Sequence, residues 1–257
     1  MPRRRLTGGK APSSAGARSL ALLQLVAAEG RPIALADLAS GLGLPKATTH
    51  RLCEQLVAGD FLTRDAGDRL FATGGALQRL AYDTLNHGTT RGLRHAVLES
   101  LVAKIGETCN FTTLDGTRVL YLDRVEAPWP VRLTLDVGSH VPLHCTASGK
   151  LFLAHLDVEI RDAVIQGLAL QRMTATTITA AAALRAECDA IARVGYSCDR
   201  EEFVGGLIAV AVPVHDAAGA VRAAVAVHAP TARMSLDVAI ARLPALRAAA
   251  KRMATLL

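Results

Sequence analysis

Apolar positions recur at helical spacing through the first part of the chain and give way to strand-like runs after residue 106. Residues 18–28 predict a helix with Leu20, Leu23 and Ala27 inward, stopped by Gly30-Arg31-Pro32. From Leu35 to Phe61 the pattern is two short helices joined by a tight turn. Leu35, Leu38 and Ala39 place apolar groups at helical spacing in the first. Gly41 and Gly43 end it, because glycine accepts the backbone angles of a sharp turn. Pro45 stands where a second helix begins, a position at which its missing N–H costs nothing. In that helix Thr49, Leu52, Cys53 and Leu56 fall at offsets 0, 3, 4 and 7 and form one buried face. Lys46, Thr48, His50 and Arg51 lie off it, in the first two turns.

Phe61-Leu62-Thr63-Arg64 and Arg69-Leu70-Phe71-Ala72 then flank a glycine-containing turn, the pattern of a short hairpin. Three helices and a hairpin make a winged helix. Gly74-Gly75 breaks the chain, residues 76–85 predict a connector helix with Leu77, Leu80 and Ala81 on one side, and Asn86-His87-Gly88 ends it. Residues 90–105 predict a further helix with Leu93, Val97, Leu101 and Ile105 inward. Beyond it, 109–114 and 118–125 form a hairpin about Asp115-Gly116. A strand-like stretch (131–137), helices at 145–155, 158–167 and 180–194, a β-branched patch at 174–179, and long apolar strands at 207–215 and 221–229 follow. A last helix covers about 235–256. Antiparallel strands flanked by helices give an α+β class. The divisions expected are a disordered basic tail (1–14), a winged helix-turn-helix domain (15–73), a helical linker (74–88) and a C-terminal domain (89–257).

Charge sharpens this picture. Of the formal net charge of +6, residues 1–75 carry +4 (ten Lys/Arg, six Asp/Glu), so the basic excess accompanies the helix-turn-helix. A cationic, hydroxylic helix start on a helix with a buried back suits the major groove of DNA, where the first residues of a recognition helix reach base edges. Lys46, Thr48, His50 and Arg51 are the candidate base readers. Arg64 and Arg69 on the wing either meet phosphates or serve as solvated edge charges. An ordinary helical hairpin with a solvated face is the plain alternative.

Five cysteines, an odd number without a C-x-x-C, fit a reducing, cytoplasmic compartment. No uncharged run approaches the ~18–20 apolar residues of a membrane helix, so no membrane partner is expected. The basic start followed by LALLQLVAA has the outline of an export signal, but Gln24 interrupts the apolar segment and no cleavage-like break follows. Ser148-Gly149-Lys150 lacks the first glycine and the final hydroxyl of a phosphate loop, with His144 and Leu151 in their places. His140, His144 and Cys145 have no further ligand cluster for zinc. Trp129, between two prolines, is a candidate packing or interface anchor. No cofactor, metal or catalytic residue is expected.

Four stretches, GLPKATTHRL (43–52), GETCNFTTLDGTRVLYLDRVE (106–126), VGSHVPLHCTASGKLFLA (137–154) and the run from Gly195 to Val227, together resemble the IclR family of bacterial transcription regulators. The resemblance covers nearly all of residues 15–257. It implies an N-terminal winged helix-turn-helix, a helical linker and a C-terminal GAF-like α/β effector domain with a central antiparallel sheet. It also implies a homodimer or homotetramer on double-stranded operator DNA. Effector contacts implied by the resemblance fall on the backbone of Ala147 and Ser148, on Asp199, and on Ala209, Ala226 and His228. Family members that bind small oxoacids carry thiol or hydroxyl side chains at the last three positions. Alanine at 209 and 226 implies a larger, more apolar pocket and hence a larger organic acid, aromatic acids included. The physics of residues 146–149 agrees: a helix start with small residues offers unpaired N–H groups to a carboxylate. The rival readings are an enzyme on the C-terminal domain with an accessory DNA-binding module, and a constitutive DNA-binding scaffold whose pocket its own side chains fill.

Overall fold

The computed structural model describes residues 14–65, 69–86, 88–129 and 135–257, which form two compact units, Met1–Leu85 and Asn86–Leu257. The basic tail proposed for 1–14 lies outside the described residues except for Ser14, as do most of the hairpin turn and residues 131–134 of the strand-like stretch.

The first unit opens with α1 (Ala15–Glu29), capped by the Ser14 hydroxyl, which accepts the Ala17 N–H at 3.1 Å. Its buried side chains are Leu22 and Val26, whereas Leu20 is 64% exposed and Ala27 is exposed. The expected inward face is therefore rotated. In a helix whose run Leu20–Ala28 is apolar at every position but Gln24, periodicity does not single out one stripe, and packing chooses it. A two-residue strand that the pattern did not predict, β1 (Ile33–Ala34), leads into α2 (Leu35–Leu42). Leu38, Ala39 and Leu42 are buried there. Gly43 alone ends α2, in the left-handed conformation (φ 63°), with the Leu44 N–H donating back to the Ala39 carbonyl at 3.1 Å. Gly41 is still helical. A methyl group at that position would stand 2.8 Å from Leu25 Cδ2, so its role is close approach to α1 rather than termination.

Pro45 precedes α3 (Lys46–Ala58) as its N-cap, and Thr49, Leu52 and Cys53 bury its back. The strands β2 (Leu62–Arg64) and β3 (Leu70–Thr73) form the wing, with Thr63 opposite Ala72, and β1 adds to β3 to give the order β1-β3-β2. Leu22, Leu38, Leu52, Leu62 and Phe71 meet in this unit's core. The connector helix α4 (Gly75–Asn86) leaves Leu80 55% exposed.

The second unit begins with α5 (Thr89–Ile105). Leu93 is half exposed, and Arg94 takes the inward place with its guanidinium over the Phe111 ring, 5.5 Å from the centroid. Val97, Leu101 and Ile105 are buried as expected, so only the first position of the stripe departs, because a planar cation can stack on an aromatic face that helix periodicity does not anticipate. Six antiparallel strands form the sheet, in the order β6-β5-β4-β9-β8-β7. They are β4 (Thr108–Asp115), β5 (Arg118–Val125), β6 (His140–Pro142), β7 (Ser197–Arg200), β8 (Leu207–His215) and β9 (Val221–Pro230). α6 (Ala147–His155) and α8 (Ala181–Val194) cover the face that presents Ala211, Ala224 and Ala226; α7 (Val158–Gly167) packs on α8. α5, α9 (Leu236–Ala241) and α10 (Leu243–Ala254) pack against the strands from the opposite face. The final helix is thus two, because Pro244 starts α10 afresh after Arg242. Residues 135–137 are not a strand. The β-branched patch is a loop whose Thr174 and Thr177 hydroxyls donate to the carbonyls of Glu201 and Glu202, at 2.7 and 2.6 Å. Among the described residues no helix is long and apolar enough to cross a membrane.

Candidate DNA-binding face and effector pocket

In the first unit α3 buries Thr49, whose hydroxyl donates to the Pro45 carbonyl at 3.2 Å, and turns its opposite side outward. Lys46, His50 and Arg51 are exposed and Thr48 is half buried. No acid occupies the first turn of α3, and Arg51 meets no carboxylate among the described residues. Negative charge enters only at Glu54. Its carboxylate lies 3.5 Å from His50 Nε2 and also holds Arg64, whose guanidinium stacks on Phe71 at 5.3 Å. Arg64 is therefore tied to the body of the unit and must exchange Glu54 for any phosphate. Arg69 is exposed. The wing beside it is braced by Asp65, whose Oδ1 accepts the N–H groups of Arg69 and Leu70 at 2.9 Å each.

In the second unit the antiparallel register assembles the pocket. Asp199 on β7 stands opposite Ala209 on β8, which stands opposite His228 on β9, which stands opposite Thr108 on β4. The next row on the same face carries Ala211, Ala226 and Asn110. The start of α6 closes over these rows, so Ala147, Ser148, Asp199, Ala209, Ala226 and His228 line one cavity. The Thr146 hydroxyl caps α6 by accepting the Gly149 N–H at 3.2 Å. The N–H groups of Ala147 and Ser148 have no acceptor among the described residues. Asn110, Tyr121, Val141, Phe203 and Leu207 also line the cavity and were not singled out from the sequence. Strand alternation would have offered Asn110, but only the pairing of β4 with β9 puts it beside Ala226.

The expected enlargement is not found. The cavity volume is about 20 Å³, room for about one water. Tyr121, Leu135, Phe203 and Leu207 line it beside the two alanines.

Two titratable groups face this cavity with opposite shifts. Burial raises Asp199 to about 7, although its Oδ1 accepts the N–H groups of Glu202 (2.7 Å) and Phe203 (3.4 Å). Burial lowers His228 to about 3, with the Arg124 cation adding to the effect, and His228 Nε2 has no partner among the described residues. Their linkages oppose each other. Asp199 favours the folded state below its ordinary 3.8 and loses that contribution as pH rises through about 7. His228 favours it above 6.5 and loses that contribution as pH falls through about 3. Near neutrality the pocket thus holds an uncharged imidazole and a carboxyl near its midpoint.

A Cβ added at Gly149 would stand 2.3 Å from the Leu143 carbonyl oxygen. Gly149→Ala is expected to displace the start of α6 and to lower the stability of this unit by about 2 kcal/mol, measured by urea unfolding followed through Trp129, the one tryptophan of the chain. Trp129 itself packs within the unit, its Nε1 donating to the Gly106 carbonyl at 2.9 Å and its ring under the Arg233 guanidinium. His140 and His144 do not converge on a metal. One meets Asp115 at 2.7 Å and the other the Gln171 carbonyl at 2.9 Å, and among the described residues no cluster of three ligands exists.

Comparison with known proteins agrees with both halves. Residues 17–66 match the model of the IclR helix-turn-helix domain, and residues 84–255 that of the bacterial transcriptional regulator IclR C-terminal domain. The chain is 42% identical to a protein of Cupriavidus necator named "Probable transcriptional regulator SauR", over 94% of this chain and 96% of that one. Among solved structures it is similar to an IclR homologue from Microbacterium hydrocarbonoxydans complexed with 4-hydroxybenzoate (26% identity, TM-score 0.59, 95% and 99% of the two chains). It is also similar to the inducer-binding domain of PobR from Acinetobacter, a double mutant in complex with 3-hydroxybenzoic acid (30% identity, TM-score 0.61, 66% and 100%). The matched relatives are regulators rather than enzymes, which removes the catalytic rival. A recognition helix presented on a winged unit and a sheet-borne pocket, each matched by its own family model, make this chain a member of the IclR family of transcriptional regulators, with a DNA-binding helix-turn-helix domain and an effector-binding domain.

Proposed function

We propose that the protein binds operator DNA as a homodimer or homotetramer in the cytoplasm, with Lys46, Thr48, His50 and Arg51 reading bases and Arg64 and Arg69 meeting phosphates. Two protomers would place two α3 helices on half-sites about one helical turn, or a multiple of it, apart. Residues 74–88 serve as the linker between the DNA-binding and effector-binding parts. The effector is a small organic acid, aromatic acids of the hydroxybenzoate class included. Its carboxylate lies at the Ala147 and Ser148 N–H groups and its polar substituents within reach of Asp199 and His228.

One observation carries this reading: an unpartnered, buried His228 Nε2 lines the same cavity as the uncapped N–H groups that open α6. An unsatisfied buried polar atom is costly unless a ligand completes it. The hydroxybenzoates held by the two similar structures suit that chemistry, one acid group and one hydroxyl on a flat ring. A ring of that size requires the lining side chains to move outward from the cavity of about 20 Å³. To regulate, the acid must bind one arrangement of the protein better than another.

The test is binding to the gene's own upstream intergenic DNA by fluorescence anisotropy, at stated salt, with and without 4-hydroxybenzoate and short oxoacids. A shift in DNA affinity by an aromatic acid is expected. Titration calorimetry in which neither acid class gives heat refutes the effector assignment. Affinity for 4-hydroxybenzoate is expected to fall as pH rises through about 7, where Asp199 ionises against the ligand carboxylate. Asp199→Asn should flatten that profile.

A further inference from the structure

A second cleft, of about 500 Å³, opens at the end of the C-terminal sheet, away from the residues of the effector pocket. β7 begins at Ser197, opposite Ala211, so among the described residues no strand lies beside residues 212–215 of β8 on that side. Val212 and Pro213, with Ala250 and Ala254 of α10, give the cleft an apolar floor. Its polar groups are Arg247, Lys251, His155 and His215, and among the described residues no carboxylate lines it.

This charge arrangement is specific. Arg247, Ala250, Lys251 and Ala254 follow the i, i+3, i+4, i+7 spacing of one helical face. Two cations one turn apart repel, and neither meets a carboxylate among the described residues. The contact recorded for Arg247 is the Val194 carbonyl at 3.5 Å. The imidazoles are oriented as well. His155 Nδ1 donates to the Leu151 carbonyl at 2.9 Å, which leaves Nε2 available, and the ring meets His215 edge-on with centroids 6.3 Å apart. Pro213 has no N–H, so the bare end of β8 is a poor edge for an added peptide strand. The volume falls in the range of small-ligand sites, which are commonly apolar with a few polar groups.

We propose that this cleft is a second ligand site, separate from the effector pocket, for an organic anion with an apolar body. The acid group sits between Arg247, Lys251 and the two imidazoles, and the hydrocarbon lies along Val212, Ala250 and Ala254. This assignment does not depend on the effector reading.

Octanoate is the probe. Calorimetry on the full chain at low salt is expected to show octanoate binding that is retained in His228→Leu and weakened about tenfold or more in Arg247→Gln/Lys251→Gln. In the wild type, octanoate should slow hydrogen exchange at 212–215 and 250–254, and 1-octanol should bind more weakly than octanoate. Three results overturn the proposal: no heat at millimolar octanoate, loss of binding in His228→Leu with retention in the double variant, or octanoate protection confined to residues 146–149 and 199–209. A change of oligomeric mass in the double variant with unchanged octanoate affinity also overturns it, since the face would then belong to contacts between copies. Both substituted side chains are exposed, so retained far-ultraviolet dichroism is expected and separates loss of binding from loss of fold.

Discussion

Lys150→Met is expected to lower the stability of the C-terminal unit by about 3–5 kcal/mol. Lys150, on α6, is fully buried. Its ammonium donates to Glu202, in the turn after β7, and to Glu187 on α8 at 3.3 Å. Glu187 is shared with Arg200 at 2.9 Å, and its carboxyl is held below the usual range by those two cations against the opposing effect of burial. Glu202 is almost wholly buried, and its Oε2 already has no partner among the described residues. Without Lys150 it becomes a buried charge with no counter-ion, which is the costly half of breaking a buried pair. The effect should reach the pocket, because the Glu202 N–H is one of the two donors that hold Asp199. Urea unfolding followed through Trp129 reads this unit directly. Lys150→Met/Glu202→Leu should recover most of the loss, since a matched apolar pair needs no desolvated charge. A single-variant loss below about 1 kcal/mol, the scale of a surface pair, would show that the pair is hydrated and does not organise the site.

Arg51→Ala is expected to weaken specific operator binding by about 1–3 kcal/mol, roughly tenfold to a hundredfold, and to relax preference at one position of each half-site. Arg51 is exposed on the open side of α3 and meets no carboxylate among the described residues, unlike His50 and Arg64, which share Glu54. Arg69→Ala should weaken specific and non-specific binding alike and reduce the salt slope by about one. Anisotropy titrations over a salt series, on operator and scrambled duplexes, separate the two behaviours. Equal loss on both duplexes for Arg51→Ala would place its contact on phosphate and leave base reading to Lys46, Thr48 and His50.

Much of this architecture was legible because it rests on local signals. The α2–α3 pair could be read from the spacing of Leu38, Leu52 and Cys53 and from the turn at Gly43, and the C-terminal strands from their unbroken Val/Ala/Ile runs. Where apolar residues fell on several faces at once, as in α1, the phase was open and packing decided it. Where a charged residue went inside, as Arg94 did over Phe111 and Lys150 did against Glu202, hydrophobic periodicity pointed the wrong way or not at all. The small residues at the effector site suggested an open pocket, yet the assembled cavity is narrow and is also lined by Tyr121 from β5 and Phe203 from the turn after β7.

By itself the chain order of residues determined the element types, the cationic start of the recognition helix, and the kinds of side chain available to a ligand, since each follows from neighbours within a few positions. Tertiary structure alone decided that Asp199, Ala209, His228 and Thr108 share one row. It also decided that Asp199 is pushed up to about 7 while His228 is pushed down to about 3, and that a cation-rimmed cleft exists where β8 outruns β7. The physical reason is that strand order, register and burial arise from pairing between segments far apart in the chain. A group's proton affinity and the shape of the hollow before it depend on that assembled surrounding rather than on adjacent residues.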